Sequence, residues 1–285
     1  MHSKNFTLGI SCNDTMGIVA AVSGFLADNK CFIIESAQMG DASTGKFFLR
    51  VVFDTKNGVG TKTLFSEKFK PVADKFNMDW NLHDNAEKQR LLILVSKQGH
   101  CLNDLLHRYA SGSLHVEIAG VISNHNDMEK MVRNYDVPFY HMPVSNDNRE
   151  TQERQILEFI ENEEVDLTVL ARYMQILSPN IVKHIEGRAI NIHHSFLPGF
   201  KGAKPYHQAY DRGVKIIGAT AHYVSNELDE GPIIEQEVTR VNHSDTPDRL
   251  LAIGRDIESI VLSRAVKYHV EHRVIPNGNK TVVFN

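Results

Sequence analysis

The sequence predicts an α/β protein in two parts: a small α+β unit, then a larger unit with a mainly parallel sheet. Three observations carry this. Apolar residues between 6 and 83 switch between two-residue and helical spacing in the order β-α-β-β-α-β, the ferredoxin-like split unit. Leu91–Ser96 is an apolar run of the kind found in strands buried on both faces of a parallel sheet. Beyond it, strand and helix patterns alternate. Between the two parts lies the polar stretch Asn85–Arg90, read as a linker that separates a domain over 1–84 from one over 91–285.

In the first part, Phe6, Leu8 and Ile10 alternate as a half-buried strand, and Asn13–Gly17 interrupts it with turn and capping residues. Ile18, Ala21, Val22, Phe25 and Leu26 mark one face of a helix. Cys31–Met39 and Phe47–Phe53 read as two further strands separated by Gly40–Gly45. Phe65, Phe69, Val72 and Phe76 recur at helical spacing, and Met78–His83 closes the set as a short edge strand.

In the second part, strands are predicted at Leu91–Ser96, Val116–Ser123, Val137–Met142, Asp166–Ala171 and Ala189–His193. Helices are predicted at Leu102–Tyr109, Asp127–Asn134, Glu150–Glu163 and Pro179–Ile185. Lys215–Ser225 and Ile233–Val241, joined by a short loop, read as an antiparallel pair. Thr246 is a natural N-cap with Pro247 at the first helical position, opening a helix with Leu250, Ile253, Ile257, Ile260, Val261 and Ala265 on one face. After His272 a turn and a last strand are expected.

Composition narrows the function. The 285 residues are 42% hydrophobic and 23% charged, enough chain for a sizeable core. A net charge of −4 argues against a general nucleic-acid surface. No apolar run approaches the roughly 20 residues of a membrane helix. The first ten residues lack the apolar region of a secretory signal, and Cys12, Cys31 and Cys101 do not read as a disulfide frame, so a cytoplasmic location is expected. Fifteen histidines show no Cys-x-x-Cys or His-Glu-x-x-His spacing, and no metal site is expected.

The segment richest in chemistry is Asn191-Ile192-His193-His194-Ser195-Phe196-Leu197-Pro198. Residues i and i+2 of a strand share a face, so Asn191 and His193 project together at the carboxyl end, where open α/β sheets bind ligands. Asn supplies a neutral donor for an oxyanion and His can carry a proton near neutral pH, a pair suited to acyl chemistry. The plainer alternative is a strand end whose polar side chains satisfy nearby backbone. His194, on the other face, reads as structural. Glu227-Leu228-Asp229-Glu230-Gly231-Pro232 follows a strand and turns tightly at Gly-Pro. A carboxylate from this loop could face the pair, and periodicity does not choose among Glu227, Asp229 and Glu230.

These residues resemble the folate-dependent formyltransferase family. Asn191-x-His193-x-Ser195-x-Leu197-Pro198, continued by Phe200-Lys201-Gly202, is similar to its signature, and Leu228-Asp229-x-Gly231-Pro232 to its second motif. Leu170-Ala171-Arg172-Tyr173-Met174-Gln175-Ile176-Leu177 resembles the segment that lines its pterin pocket. The resemblance spans most of 91–271. It implies a Rossmann-like catalytic domain with Asn191, His193 and Asp229 as the catalytic residues. Folate contacts would come from Arg172, Tyr173, Met174, Gln175, Ile176, Leu177, Leu197, Glu227 and Leu228. It also implies 10-formyltetrahydrofolate as the substrate, with no permanently bound cofactor.

Members that use a phosphorylated amine carry a glycine-rich loop after the first strand of this domain, where backbone N–H groups and a helix N-terminus hold the phosphate. Here that loop reads Ser96-Lys97-Gln98-Gly99-His100-Cys101-Leu102, with a single glycine and with His100 and Cys101 where a phosphate would lie. Lys97, His100 and Cys101 are therefore assigned to the substrate pocket, with Lys97 either meeting the folate glutamate tail or solvated. The pattern resembles the hydrolytic branch of the family, whose acceptor is water and whose products are formate and tetrahydrofolate. Such a reaction balances one-carbon folate pools and supplies formate for purine synthesis. Transfer to an amine and an idle folate-binding regulator are the alternatives.

The run Asp14–Ser23 resembles the first strand-to-helix turn of ACT domains, small ferredoxin-like modules that often sense amino acids. That resemblance implies a homo-oligomer, dimer or tetramer, and an amino-acid effector site at Asp14, Met16 and Gly17. The alternative is that Asp14 caps the helix and Gly17 eases the turn.

Overall fold

Strands that carry large apolar residues at every position need cover on both faces, and this requirement shapes the first unit. The computed structural model describes residues 5–55, 61–145, 147–197 and 205–285. The elements of the first unit are β1 (Asn5–Asn13), α1 (Ile18–Asp28), β2 (Phe32–Asp41), β3 (Lys46–Asp54), α2 (Lys62–Lys75) and β4 (Asp79–Asp84). The antiparallel sheet runs β2-β3-β1-β4, the ferredoxin-like order, with β4 at an edge as expected. One face packs Phe6, Phe47, Leu49, Val51 and Phe53 against Val22, Leu26, Phe65 and Phe69 of the helices. Phe65 stacks on Phe53 at 5.0 Å, and Phe69 meets Trp80 edge-on at 5.0 Å.

β3 is buried on its other face too, which simple alternation did not suggest. The cover comes from the far end of the sequence. Phe48 packs with Ile275, Val282 and Phe284. The buried Arg50 donates from Nε to the His272 carbonyl and from Nη2 to that of Glu271, both at 3.0 Å, and pairs with Glu35 at 2.7 Å. Residues 271–277 and 282–285 therefore belong to this compact unit with 1–88. This differs from the sequence-based division, which left the whole tail with the second domain. The expected linker is also shorter, because Gln89 already opens a strand.

The second unit comprises residues 89–270 and 278–281. Its strands are β5 (Gln89–Val95), β6 (Val116–Ser123), β7 (Phe139–His141), β8 (Leu167–Leu170), β9 (Ala189–His193), β10 (Ile216–Tyr223) and β11 (Ile233–Arg240). Its helices are α3 (His100–Ala110), α4 (Glu129–Arg133), α5 (Arg149–Asn162), α6 (Pro179–Ile185), α7 (Pro205–Asp211) and α8 (Pro247–Val270). Among the described residues the sheet order is β11-β10-β9-β8-β5-β6-β7. β5 through β9 are parallel, while β10 runs antiparallel to both its neighbours. The order reverses between β5 and β8, so the crevice opens at their carboxyl ends. α7 was not anticipated, since so short a helix offers little periodicity. α8 starts as expected, with the Thr246 hydroxyl accepting from Arg249 N at 3.4 Å. The tail holds two strands, β12 (Val274–Asn277) and β13 (Lys280–Val283), rather than one. Among the described residues no helix is long and apolar enough to cross a membrane.

Candidate active site

β9 delivers two polar side chains to the carboxyl edge because strand residues two apart share a face. Asn191 and His193 both line one pocket of about 240 Å³, and His193 is only 4% exposed. The antiparallel register places His222 opposite Asn191 and Thr220 opposite His193. A third group arrives from the loop after β10. That loop lies tight against the strand end, since a Cβ on Gly231 would stand 1.8 Å from the Tyr223 carbonyl oxygen. Only glycine fits there, and the return carries Asp229 inward.

The Asp229 carboxylate lies 3.1 Å from Nδ1 of His193, 3.7 Å from Nε2 of His222 and 3.5 Å from Nδ2 of Asn191. Burial alone would push its carboxyl up. The hydrogen bonds and charges of the two imidazoles outweigh that and hold it well below the usual carboxylate range. Nε2 of His193 lies 2.8 Å from the Ser195 hydroxyl. Nδ1 of His222 sits 2.8 Å from the Tyr223 carbonyl, which can only accept, so that nitrogen carries a proton. Nε2 of His222 lies 3.3 Å from the Asn191 amide nitrogen. Of the three acidic residues left open on this loop, Asp229 is the one that meets His193.

The remaining wall is mixed in polarity. Arg172, Tyr173, Met174, Gln175, Ile176 and Leu177 line it from the segment after β8, and Glu227 and Leu228 from the loop after β10. Gln152, buried on α5, donates to the Tyr173 hydroxyl at 3.0 Å and fixes that ring. Leu197 does not line the pocket: it is buried behind, its N–H donating to Thr220. Pro198, Phe200, Lys201 and Gly202 lie outside the described residues. Arg172 and Asp229 both hold left-handed backbone, at φ 64° and 57°, a conformation that costs non-glycine residues on the order of 1–3 kcal/mol and clusters at functional sites.

Lys97, His100 and Cys101 do not line the pocket either. His100 and Cys101 belong to a buried cluster behind it. His100 Nε2 lies 2.7 Å from Glu258 Oε2, and the Tyr206 hydroxyl donates to Glu258 Oε1 at 2.7 Å. Arg172 approaches Glu258 Oε2 at 3.4 Å and also donates to Gln98. Burial first and then the Glu258 charge push the Cys101 thiol far up, so it is no nucleophile at neutral pH. The ligand atoms of His100, Cys101 and Glu258 all lie within 4.8 Å of one another. The guanidinium beside the carboxylate already supplies the positive charge a cation would bring. His194 lines the pocket between the two groups and is held down to about 4 by burial, then by Arg172 and His193.

At the amino-terminal turn, the N-cap of α1 is Gly17 in a left-handed conformation with no side-chain cap, so Asp14 is not the cap. Asp14 N–H donates instead to the Gly45 carbonyl, and Met16 is 96% exposed.

Sequence reasoning overlooked His222, Glu258 and Tyr206. His222 becomes visible only through the β9–β10 register. Glu258 is a charged residue among the apolar positions of α8, a signal that a buried partner exists.

Residues 89–266 match the model of the Formyl transferase family. A formyltetrahydrofolate deformylase of Bacillus subtilis is 51% identical over 277 residues, covering 97% of this chain and 92% of that protein. The crystal structure of a formyltetrahydrofolate deformylase from Pseudomonas syringae superposes with a TM-score of 0.97 at 47% identity, covering 100% of this chain and 96% of that one. A glycinamide ribonucleotide transformylase from Symbiobacterium toebii is 29% identical with a TM-score of 0.67, over 72% of this chain and 98% of its own. The fold and site define a formyl transferase-type protein. Within that class, the chain belongs to the formyltetrahydrofolate deformylase family.

Proposed function

We propose that the chain hydrolyses 10-formyltetrahydrofolate to formate and tetrahydrofolate. The observation that carries this is the meeting of Asn191, His193 and Asp229 on the wall of a pocket also lined by Arg172–Leu177 and Glu227–Leu228. Water attacks the formyl carbon, and the ionised Asp229 takes its proton directly or through ordered solvent. Asn191 donates to the oxygen that becomes negative; its long contacts to His222 and Asp229 leave the amide able to turn toward it. His193, hydrogen-bonded to Asp229 through Nδ1, carries a proton to N10. The C–N10 bond then breaks and tetrahydrofolate leaves.

The folate is substrate, and no permanently bound cofactor is needed for this chemistry. The test is to mix the full chain with 10-formyltetrahydrofolate alone and follow formate and tetrahydrofolate. Equal release of both supports the reading. Intact substrate until an amine is added refutes it.

The same reading extends to the setting. The protein works in the cytoplasm as a homo-oligomer, dimer or tetramer, and takes an amino-acid effector near Asp14, Met16 and Gly17 of the first unit. Exposed Phe32 and Ile34 on the edge strand β2 support self-association. Sedimentation showing only monomer would count against assembly, and calorimetric titration with amino acids that gave no heat would count against the effector.

A further inference from the structure

Two substrates that react with each other need two subsites flanking the reacting carbon. One is the pocket along β8, β9 and β10. The other would have to lie past the His193–His194 corner, toward the end of β5 and the start of α3, at the reversal of strand order where open α/β sheets place ligands. In this chain that place is filled from within.

We propose that Glu258, clamped by His100, Tyr206 and Arg172, occupies the acceptor side of the site and thereby restricts the acceptor to water. This rests on the hydrolysis reading above and adds the residues that decide between water and an amine. The clamp backs directly on the pocket. Arg172 lines the cavity while its guanidinium turns away to Glu258 and Gln98. The His194 ring, also in the cavity wall, stands 4.9 Å from the His193 ring and 6.5 Å from that of Tyr206. Glu258 is 1% exposed, and both its oxygens are engaged. At that burial an incoming ammonium or amine reaches it only after one of these side chains moves.

Space is arranged for the clamp as well. A Cβ on Gly254, one turn before Glu258 on α8, would fall 2.1 Å from the Tyr206 hydroxyl, so this glycine admits the ring that reaches the carboxylate. His100 stands in the first turn of α3, whose N-cap Gly99 offers no side chain. An imidazole there fills the position from which N–H groups would otherwise receive an anionic substrate. Burial would raise the Glu258 carboxyl, yet its hydrogen bond from His100 and the charge of Arg172 bring it below its ordinary value, so the cluster is charged and self-contained. A site that is already satisfied rejects a second substrate because binding would strand buried polar groups.

The test uses the full chain with 10-formyltetrahydrofolate and glycinamide as the added amine. Removing His100 takes the closer of two partners from Glu258 Oε2 and opens room beside it. The carboxylate orients the amine and takes its proton. The amine nitrogen bonds to the formyl carbon, the C–N10 bond breaks, and N10 gains the proton that balances the one the amine lost. His100→Gly is expected to raise the ratio of formylglycinamide to formate at least about tenfold over wild type. Adding Glu258→Gln to that variant returns the ratio to the wild-type value. Tyr206→Phe, which removes only a hydroxyl, gives a smaller rise in the same direction and serves if His100→Gly does not fold. A general loss of stability lowers both products together and leaves the ratio alone. An unchanged ratio in variants that still release formate overturns the inference, as does ready transfer to glycinamide by the wild type. A wild type that releases no formate overturns the hydrolysis reading instead.

Discussion

Oδ2 of Asp229 stands 3.1 Å from Nδ1 of His193, although one comes from a loop and the other from a strand end 36 residues earlier. The contact helps hold Asp229 ionised and orients the His193 ring. Asp229→Asn keeps the shape and tolerates the left-handed backbone, so it isolates the charge. Turnover should fall by about 10²-fold or more, read as formate release by a protein whose circular dichroism is unchanged.

The same carboxylate links stability to acid. Its folded pKa lies below its unfolded value, so its contribution is present above about pH 4 and fades as pH falls through the folded pKa. Wild type should be more stable than Asp229→Asn at pH 7 in urea titrations, with the gap narrowing below about pH 4. A gap that widens on acidification would contradict the assigned direction.

Asn191→Ala removes a single neutral donor. Loss of one such donor costs about 10²–10³ in turnover, while binding of a non-hydrolysable folate should survive. Near-wild-type turnover would remove Asn191 from the chemistry.

His222 holds the Asn191 amide on one side and faces Asp229 on the other. His222→Phe should lower kcat by about 10²-fold through misplacement of both, with little change in KM. A rise in KM at constant kcat would instead make His222 a binding group.

In the first unit, His83 is pushed down to about 4, chiefly by burial and then by Lys62, and stacks on His272 at 3.4 Å. Its unfolded form takes up a proton near pH 6.5, so stability drains away as pH falls from about 6.5 toward 4. Thermal melts of His83→Gln should lose less between pH 7 and pH 4.5 than those of wild type.

Much of this site was legible because it is local. Asn191 and His193 are two apart on a strand, and the turn at Gly231-Pro232 announced that an acidic loop returns to the sheet, while the choice of Asp229 within it came from the family resemblance. The order β-α-β-β-α-β was legible for the same reason, since each element carries its own apolar period. What escaped depends on register and distance. His222 is placed by a cross-strand pairing with no sequence mark. His100 and Glu258 meet across 158 residues, so His100 was assigned to the pocket when it lies behind it. Leu197 shares the signature of the catalytic strand but turns into the core, because its backbone is tied to Thr220. The cover on the outer face of β3 left no mark in the sequence because it lies more than 220 residues away.

That cover also orders the birth of the molecule. Phe48 and Arg50 are synthesised early, yet the groups that shield them, from Glu271 to Phe284, leave the ribosome only after every strand of the second unit has been made. Until then the first unit exposes an apolar sheet face and an arginine paired only with Glu35. A fragment ending at residue 88 inherits the same exposed face and should aggregate or recruit a chaperone where the full chain does not.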